Sequence, residues 1–130
     1  MKRHVGVLTA LIFALAVPAW ADDDHDHEHA AQHGGVVAES GHHHLELVAK
    51  DGALTLYIGG VHGTEEMVSK ASATAAVLSE GKKVDVELKP AGNGPVLTGT
   101  GPFKAANGTV VVLTLKMPDH DPEQVRLKLE

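Results

Sequence analysis

Short alternating runs of apolar and polar residues, separated by turn sequences, constrain the fold of this chain more than any other feature. From Gly34 to Glu130, apolar side chains recur at every second position in many short segments. This period of two is that of a strand with one buried face, whereas a helix needs a period near 3.6. Asp51-Gly52 and Asn107-Gly108 are strong hairpin signals, and Gly52 is expected to supply the positive φ of a type I′ turn.

These runs predict eight strands in one domain. The predicted strands are 36–40, 43–49, 54–58, 73–78, 84–88, 96–100, 109–117 and 125–129, with 96–100 placed at a sheet edge. Many short strands with frequent turns indicate an all-β fold, either a small antiparallel β-sandwich of the immunoglobulin-like kind or a barrel, with about seven to eight strands. The predicted core consists of apolar strand residues: Leu45, Leu47, Leu54, Leu56, Ile58, Val84, Val86, Leu88, Val111, Leu113, Leu115, Val125, Leu127 and Leu129.

The segment 63–78 has two interpretations. Its alanines favour a helix. Its β-branched residues, and the lack of a consistent apolar stripe with a period of 3.6, favour a loop followed by a strand. We predict the loop and the strand.

The N terminus is typical of an export signal. Lys2 and Arg3 precede an uncharged apolar run from Val5 to Val17, and Ala19-Trp20-Ala21 places small residues where a signal peptidase reads. The run is shorter than the roughly 20 residues that span a bilayer, so a cleaved signal peptide, residues 1–21, is preferred over a retained anchor. We therefore predict a periplasmic protein that is not inserted in the membrane after cleavage.

Histidines are concentrated directly after the predicted cleavage site. Seven of the ten lie between residues 25 and 44, and acidic residues alternate with the first of them. Residues 22–33 have almost no large apolar side chains, which predicts a disordered tail ahead of a folded domain at 34–130. Imidazole and carboxylate are transition-metal ligands, so His25, His27 and His29 are predicted to bind Zn²⁺, Cu²⁺, Ni²⁺ or Co²⁺. The alternative is an acidic solubilising tail.

A second predicted metal site lies on the folded domain. His44 and Glu46 share one face of a strand, and His33 joins them if strands 36–40 and 43–49 pair. The alternative is a polar strand rim that faces solvent. His43 points to the core side and is interpreted as a half-buried structural histidine. Asp119-His120-Asp121 is interpreted first as a turn, and is the next candidate for a site if the first is wrong.

Composition excludes several classes of function. The chain has no cysteine, so disulfides, thiolate ligands and a lipoprotein anchor are all excluded. Its net charge is −6 and becomes more negative once the signal is removed, which argues against nucleic acid or anionic lipid as a partner. We find no nucleophile elbow, zinc-protease motif or phosphate loop, and we expect no enzymatic activity.

Several short stretches resemble a small domain of periplasmic adaptor proteins from heavy-metal efflux pumps of the cobalt–zinc–cadmium type. They are His33-Gly34-Gly35-Val36-Val37, His44-Leu45-Glu46-Leu47-Val48, Leu56-Tyr57-Ile58, Ala71-Ser72-Ala73-Thr74-Ala75, Leu88-Lys89-Pro90-Ala91-Gly92-Asn93 and Leu97-Thr98-Gly99. The chain is too short for the helical hairpin and lipoyl-like domain of such an adaptor. An Asp-rich turn that often follows the tyrosine in similar sequences is replaced here by a Gly-rich one. The resemblance implies a stand-alone periplasmic protein near metal efflux or homeostasis.

Two functions follow as expectations. The first is binding, buffering or hand-over of divalent transition metals beside an efflux pump. The second is a metal-independent interaction module that docks on a pump or envelope protein. Metal titration distinguishes the two hypotheses.

Overall fold

The computed structural model describes residues 31–41, 43–60, 68–92 and 94–130. The predicted signal peptide and the tail histidines His25, His27 and His29 lie outside these residues. The described chain forms eight strands: β1 (Val36–Ser40), β2 (His43–Lys50), β3 (Ala53–Gly60), β4 (Ser72–Ser79), β5 (Lys82–Pro90), β6 (Val96–Thr100), β7 (Val110–Lys116) and β8 (Glu123–Lys128). Each predicted strand is present, with ends that differ by at most two residues.

All neighbouring strands are antiparallel, in the order β1-β2-β3-β6-β5-β4-β7-β8. The end strands β1 and β8 pack against each other, so the sheet is nearly closed like a barrel. The predicted all-β class is therefore confirmed. The line along which β1 and β2 meet the start of β8 is called the seam below.

Strand β6 has the predicted bounds 96–100, but it is not an edge strand, so its predicted place at a sheet edge is wrong. It lies between β3 and β5, although its ladder with β5 is short, with Lys89 opposite Thr98 and Pro90 opposite Leu97. Gly99 permits this interior position, because a Cβ there would collide with the backbone carbonyl of Glu87. The edges of the sheet are β1 and β8 instead.

Two turn predictions need correction. The Asp51-Gly52 hairpin exists, with Lys50 opposite Ala53, but only Gly52 has a positive φ, so the turn is not type I′. Asn107-Gly108 forms a turn that is not a hairpin, because β6 and β7 do not pair. The Gly108 amide instead donates to the carbonyl oxygen of Leu129 at 2.8 Å and fixes the end of the chain.

The core fills the space between the two halves of the sheet. Twelve of the fourteen predicted core residues are buried, and Val84 and Val125 are half-buried against them. The structure adds a further set of buried residues: Val68, Ala71, Ala73, Ala75, Val77, Leu97, Phe103 and Met117. Four of these eight lie in β4 or just before it, so the helical interpretation of the part of 63–78 that forms β4 is excluded. The described residues include no helix long and apolar enough to cross a bilayer.

Candidate functional site

The predicted domain site lies on the outer face of β2 and β3. Leu45 and Leu47 point into the core, so His44 and Glu46 point outward, as their spacing predicts. Glu46 is directly opposite Tyr57 of β3. Strand β1 pairs with β2 and brings the N-terminal segment to the same face, which was the condition for His33 to join the site.

The carboxylate of Glu46 holds the N-terminal segment against this face. Its Oε1 accepts hydrogen bonds from the backbone amides of His33, at 2.7 Å, and Gly35, at 3.0 Å. Its Oε2 accepts from the amide of Gln32 at 3.1 Å and lies 2.9 Å from Nδ1 of His33. We call this set of contacts the Glu46 clasp.

Glycine is required within the clasp. A Cβ on Gly35 would collide with the carbonyl oxygen of Leu47 and reach the side chain of Glu46. The sequence marks Gly34-Gly35 only as the boundary of the domain. The structure shows that Gly35 lets the backbone come close enough to Glu46 for the Gly35 amide to donate to it.

The electrostatics of Glu46 follow from these contacts. Burial of the carboxyl raises its pKa, because the charged form loses water. Hydrogen bonds from the His33 side chain and then from the backbone amides of Gly35, His33 and Gln32 outweigh burial, and the pKa falls to about 2. Glu46 is therefore a carboxylate at every physiological pH.

The His33 imidazole is held on two sides. It contacts Glu46 through Nδ1 and stacks on the ring of Tyr57, with ring centres 3.6 Å apart and planes 1° from parallel. The side chain of His33 remains 42% exposed. His33 thus belongs to the folded surface, although the sequence places it at the end of the tail.

His44 completes the polar part of a shallow cleft of about 300 Å³. Its Nδ1 lies 3.1 Å from Oε1 of Glu39 on β1. The cleft is lined by His33, His44, Glu46 and Tyr57 together with apolar residues of β1 to β3. The three predicted ligands of the domain therefore share one cleft, but Glu46 already accepts hydrogen bonds from the backbone. No group of three His, Asp or Glu side chains in the described part of the chain is arranged to hold a metal ion.

A second histidine–glutamate cluster lies at the seam. His43 is only 8% exposed, more deeply buried than predicted, and its Nδ1 lies 3.2 Å from Oε2 of Glu123 at the start of β8. The ring of His120 stands edge to face with that of His43, with centres 5.8 Å apart. The sequence separated these residues by about 80 positions, and only the approach of β8 to β1 and β2 brings them together.

No known protein family, curated protein or solved structure matches this chain.

Proposed function

We propose that this protein binds divalent transition-metal ions in the periplasm and buffers them or passes them to a heavy-metal efflux or homeostasis system. The histidine- and aspartate-rich tail supplies most ligands, and the cleft beside His44 supplies the rest. The Glu46 clasp is the observation that carries this proposal. The clasp fixes Gln32 and His33 at the cleft, so the segment with the tail histidines is attached to the folded domain at that point.

Chain length supports a shared site. His29 is four residues from His33, and an extended chain covers at most about 3.6 Å per residue, so His29 stays within about 14 Å of His33. A tethered ligand has a high effective concentration near its anchor. Tail imidazoles can therefore join His44 on one metal ion without changing the clasp.

The ligand set supports Zn²⁺, Cu²⁺, Ni²⁺ and Co²⁺ as the cargo. Without cysteine, a metal is held by imidazole, carboxylate, methionine or backbone donors, to which cleavage adds the N-terminal amine of Asp22. Affinities should follow the Irving–Williams order, because a flexible tail imposes little geometry of its own. Binding should weaken as the pH falls through about 6.5, since protonated imidazole cannot bind a metal.

A metal titration of the secreted protein tests the proposal. The variants are His25→Ala/His27→Ala/His29→Ala and, separately, His44→Ala, with His62→Ala as a control histidine that lies outside residues 25–44 in the sequence. The triple variant should lose most bound Zn²⁺ and Cu²⁺, and His44→Ala should weaken the tightest site. Binding that is unchanged in the triple variant would contradict the proposed role of the tail. Intact mass of the periplasmic fraction checks, in addition, that the protein begins at Asp22.

The metal-independent interaction module remains the second candidate. The observation that favours it is the Glu46 clasp itself, because each carboxylate oxygen already accepts hydrogen bonds and the clasp shapes a firm surface without an ion. A secreted protein that binds no metal, and still pulls down with an efflux-pump component, would support this function instead.

A further inference from the structure

The seam cluster has the chemistry of a second metal site. His43 and His120 supply two imidazoles, and Glu123 supplies a carboxylate beside the first. The three residues come from the start of β2, from the turn between β7 and β8, and from the start of β8. None of them takes part in the Glu46 clasp, so the cluster is independent of the first site.

Glu123 orients His43 as a metal ligand. When Nδ1–H of His43 donates to Glu123, the lone pair of the ring is left on Nε2, which is the nitrogen that binds a metal. A histidine held by a carboxylate in this way is a common arrangement around zinc. Glu123 is itself packed closely, since a Cβ on Gly41 would lie 2.6 Å from its Oε1.

The spacing of the two rings is that of imidazoles able to share one ion. A metal binds imidazole nitrogen at about 2.0–2.1 Å, which puts the centres of two rings on one ion about 5–6 Å apart. The centres of His43 and His120 are 5.8 Å apart, with planes at 81°. His120 is exposed on its turn, so its side chain has room to rotate towards a bound ion.

We propose that His43 and His120 form a divalent transition-metal site at the seam, with Glu123 as the residue that positions His43. Water completes the coordination of the ion. Zn²⁺, Ni²⁺ and Cu²⁺ are the cations that imidazole donors favour. Bound there, an ion connects β2 to the β7–β8 turn and closes the barrel across its seam.

The test uses the full secreted chain carrying His25→Ala/His27→Ala/His29→Ala and His44→Ala. These substitutions remove the proposed ligands of the tail and of the cleft beside His44. In this background we add His120→Ala, or Glu123→Gln, or the control Glu87→Gln, which removes a carboxylate from the exposed face of β5. Zn²⁺ binding is followed by calorimetry and by the ¹⁵N shifts of the imidazole nitrogens.

One equivalent of Zn²⁺ should bind in the background chain, with a large shift at Nε2 of His43. His120→Ala should abolish this equivalent, and Glu123→Gln should weaken it by about 10- to 100-fold, as is usual for partners of metal-bound histidines. Glu87→Gln should change nothing. The proposal is overturned if the background chain binds no Zn²⁺, or if His120→Ala leaves affinity and shifts unchanged. Metal binding that is unchanged when the three tail histidines are replaced, together with loss of the seam equivalent in His120→Ala, would reject the first proposal and leave this one standing.

Discussion

Two of the histidine–glutamate pairs in this protein look alike but differ in the contacts of their carboxylates. At the Glu46 clasp, the carboxylate accepts three backbone amides as well as His33, and its pKa is held at about 2. At the seam, Glu123 contacts the ring of a buried histidine, His43, across two distant strands. The Glu46 carboxylate accepts from the backbone as well as contacting an imidazole, while the described hydrogen bond of Glu123 is with an imidazole. A histidine beside a glutamate therefore does not by itself show what the pair does. The backbone donors around the carboxylate must also be known.

The largest difference between the two pairs should appear in stability. Glu46→Ala should lower the free energy of unfolding by about 1–3 kcal/mol, because hydrogen bonds to a charged group are lost and backbone amides are left without their acceptor. Glu123→Ala should cost less, about 1 kcal/mol, because the hydrogen bond to His43 is lost there, whereas Glu46→Ala also removes the acceptor of three backbone amides. Urea denaturation of both variants measures the difference. Equal losses would show that the clasp is no stronger than the seam pair.

The two pairs should also differ in how their contribution to stability changes at acid pH. The pKa of Glu46 is lowered on folding from 4.5 to about 2, so its stabilising effect is present above pH 4.5 and is lost as the pH falls from 4.5 towards 2. Glu46→Gln should therefore flatten the stability profile of the domain over this interval. Glu123→Gln serves as the matched control and should leave the drop in place. Denaturation midpoints measured between pH 2 and 6 decide the outcome.

Packing at the seam can be tested through Gly41. Gly41→Ala should destabilise the fold by about 1 kcal/mol because φ is +57, and should displace Glu123 in addition. Gly81→Ala is a matched control, with φ +74 and open space around its Cβ. The excess loss in Gly41→Ala over Gly81→Ala reports the contact with Glu123. Equal losses would mean that Glu123 moves aside freely.

The smallest effect is expected at the stack of His33 on Tyr57. Tyr57→Leu should cost about 0.5 kcal/mol beyond lost burial, the lower end for an aromatic pair at a half-exposed site. Tyr57→Phe keeps the ring and should be close to neutral. The ring-current shift of the His33 protons gives a direct measurement. If that shift is the same in Tyr57→Leu as in the original chain, the stack does not exist in solution.

Much of the fold could be predicted because strand period and turn residues are local signals. All eight strands were predicted, and His44 and Glu46 were placed correctly on one face. The position of β6 was not predictable in this way, because it depends on the fit of Gly99 against β5. His43 and Glu123 meet only through the near closure of the sheet, which no local pattern encodes. The Glu46 clasp depends on hydrogen bonds from backbone amides. Every residue except proline carries such an amide, so the residue types do not predict which ones donate to Glu46.

The interior place of β6 has a consequence for how the chain folds. Hairpins such as β2–β3 and β4–β5 join neighbours in the sequence and can form within about 1–10 μs. Strand β6 follows β5 after residues 91–95, so its pairing with β5 is local, but it must also pair with β3, where Leu56 lies opposite Leu97, and that contact closes a much longer loop. Such non-local pairing places domains of this kind among slow two-state folders, in the range of milliseconds to seconds. We expect the arrival of β6 to set the folding rate of the whole domain.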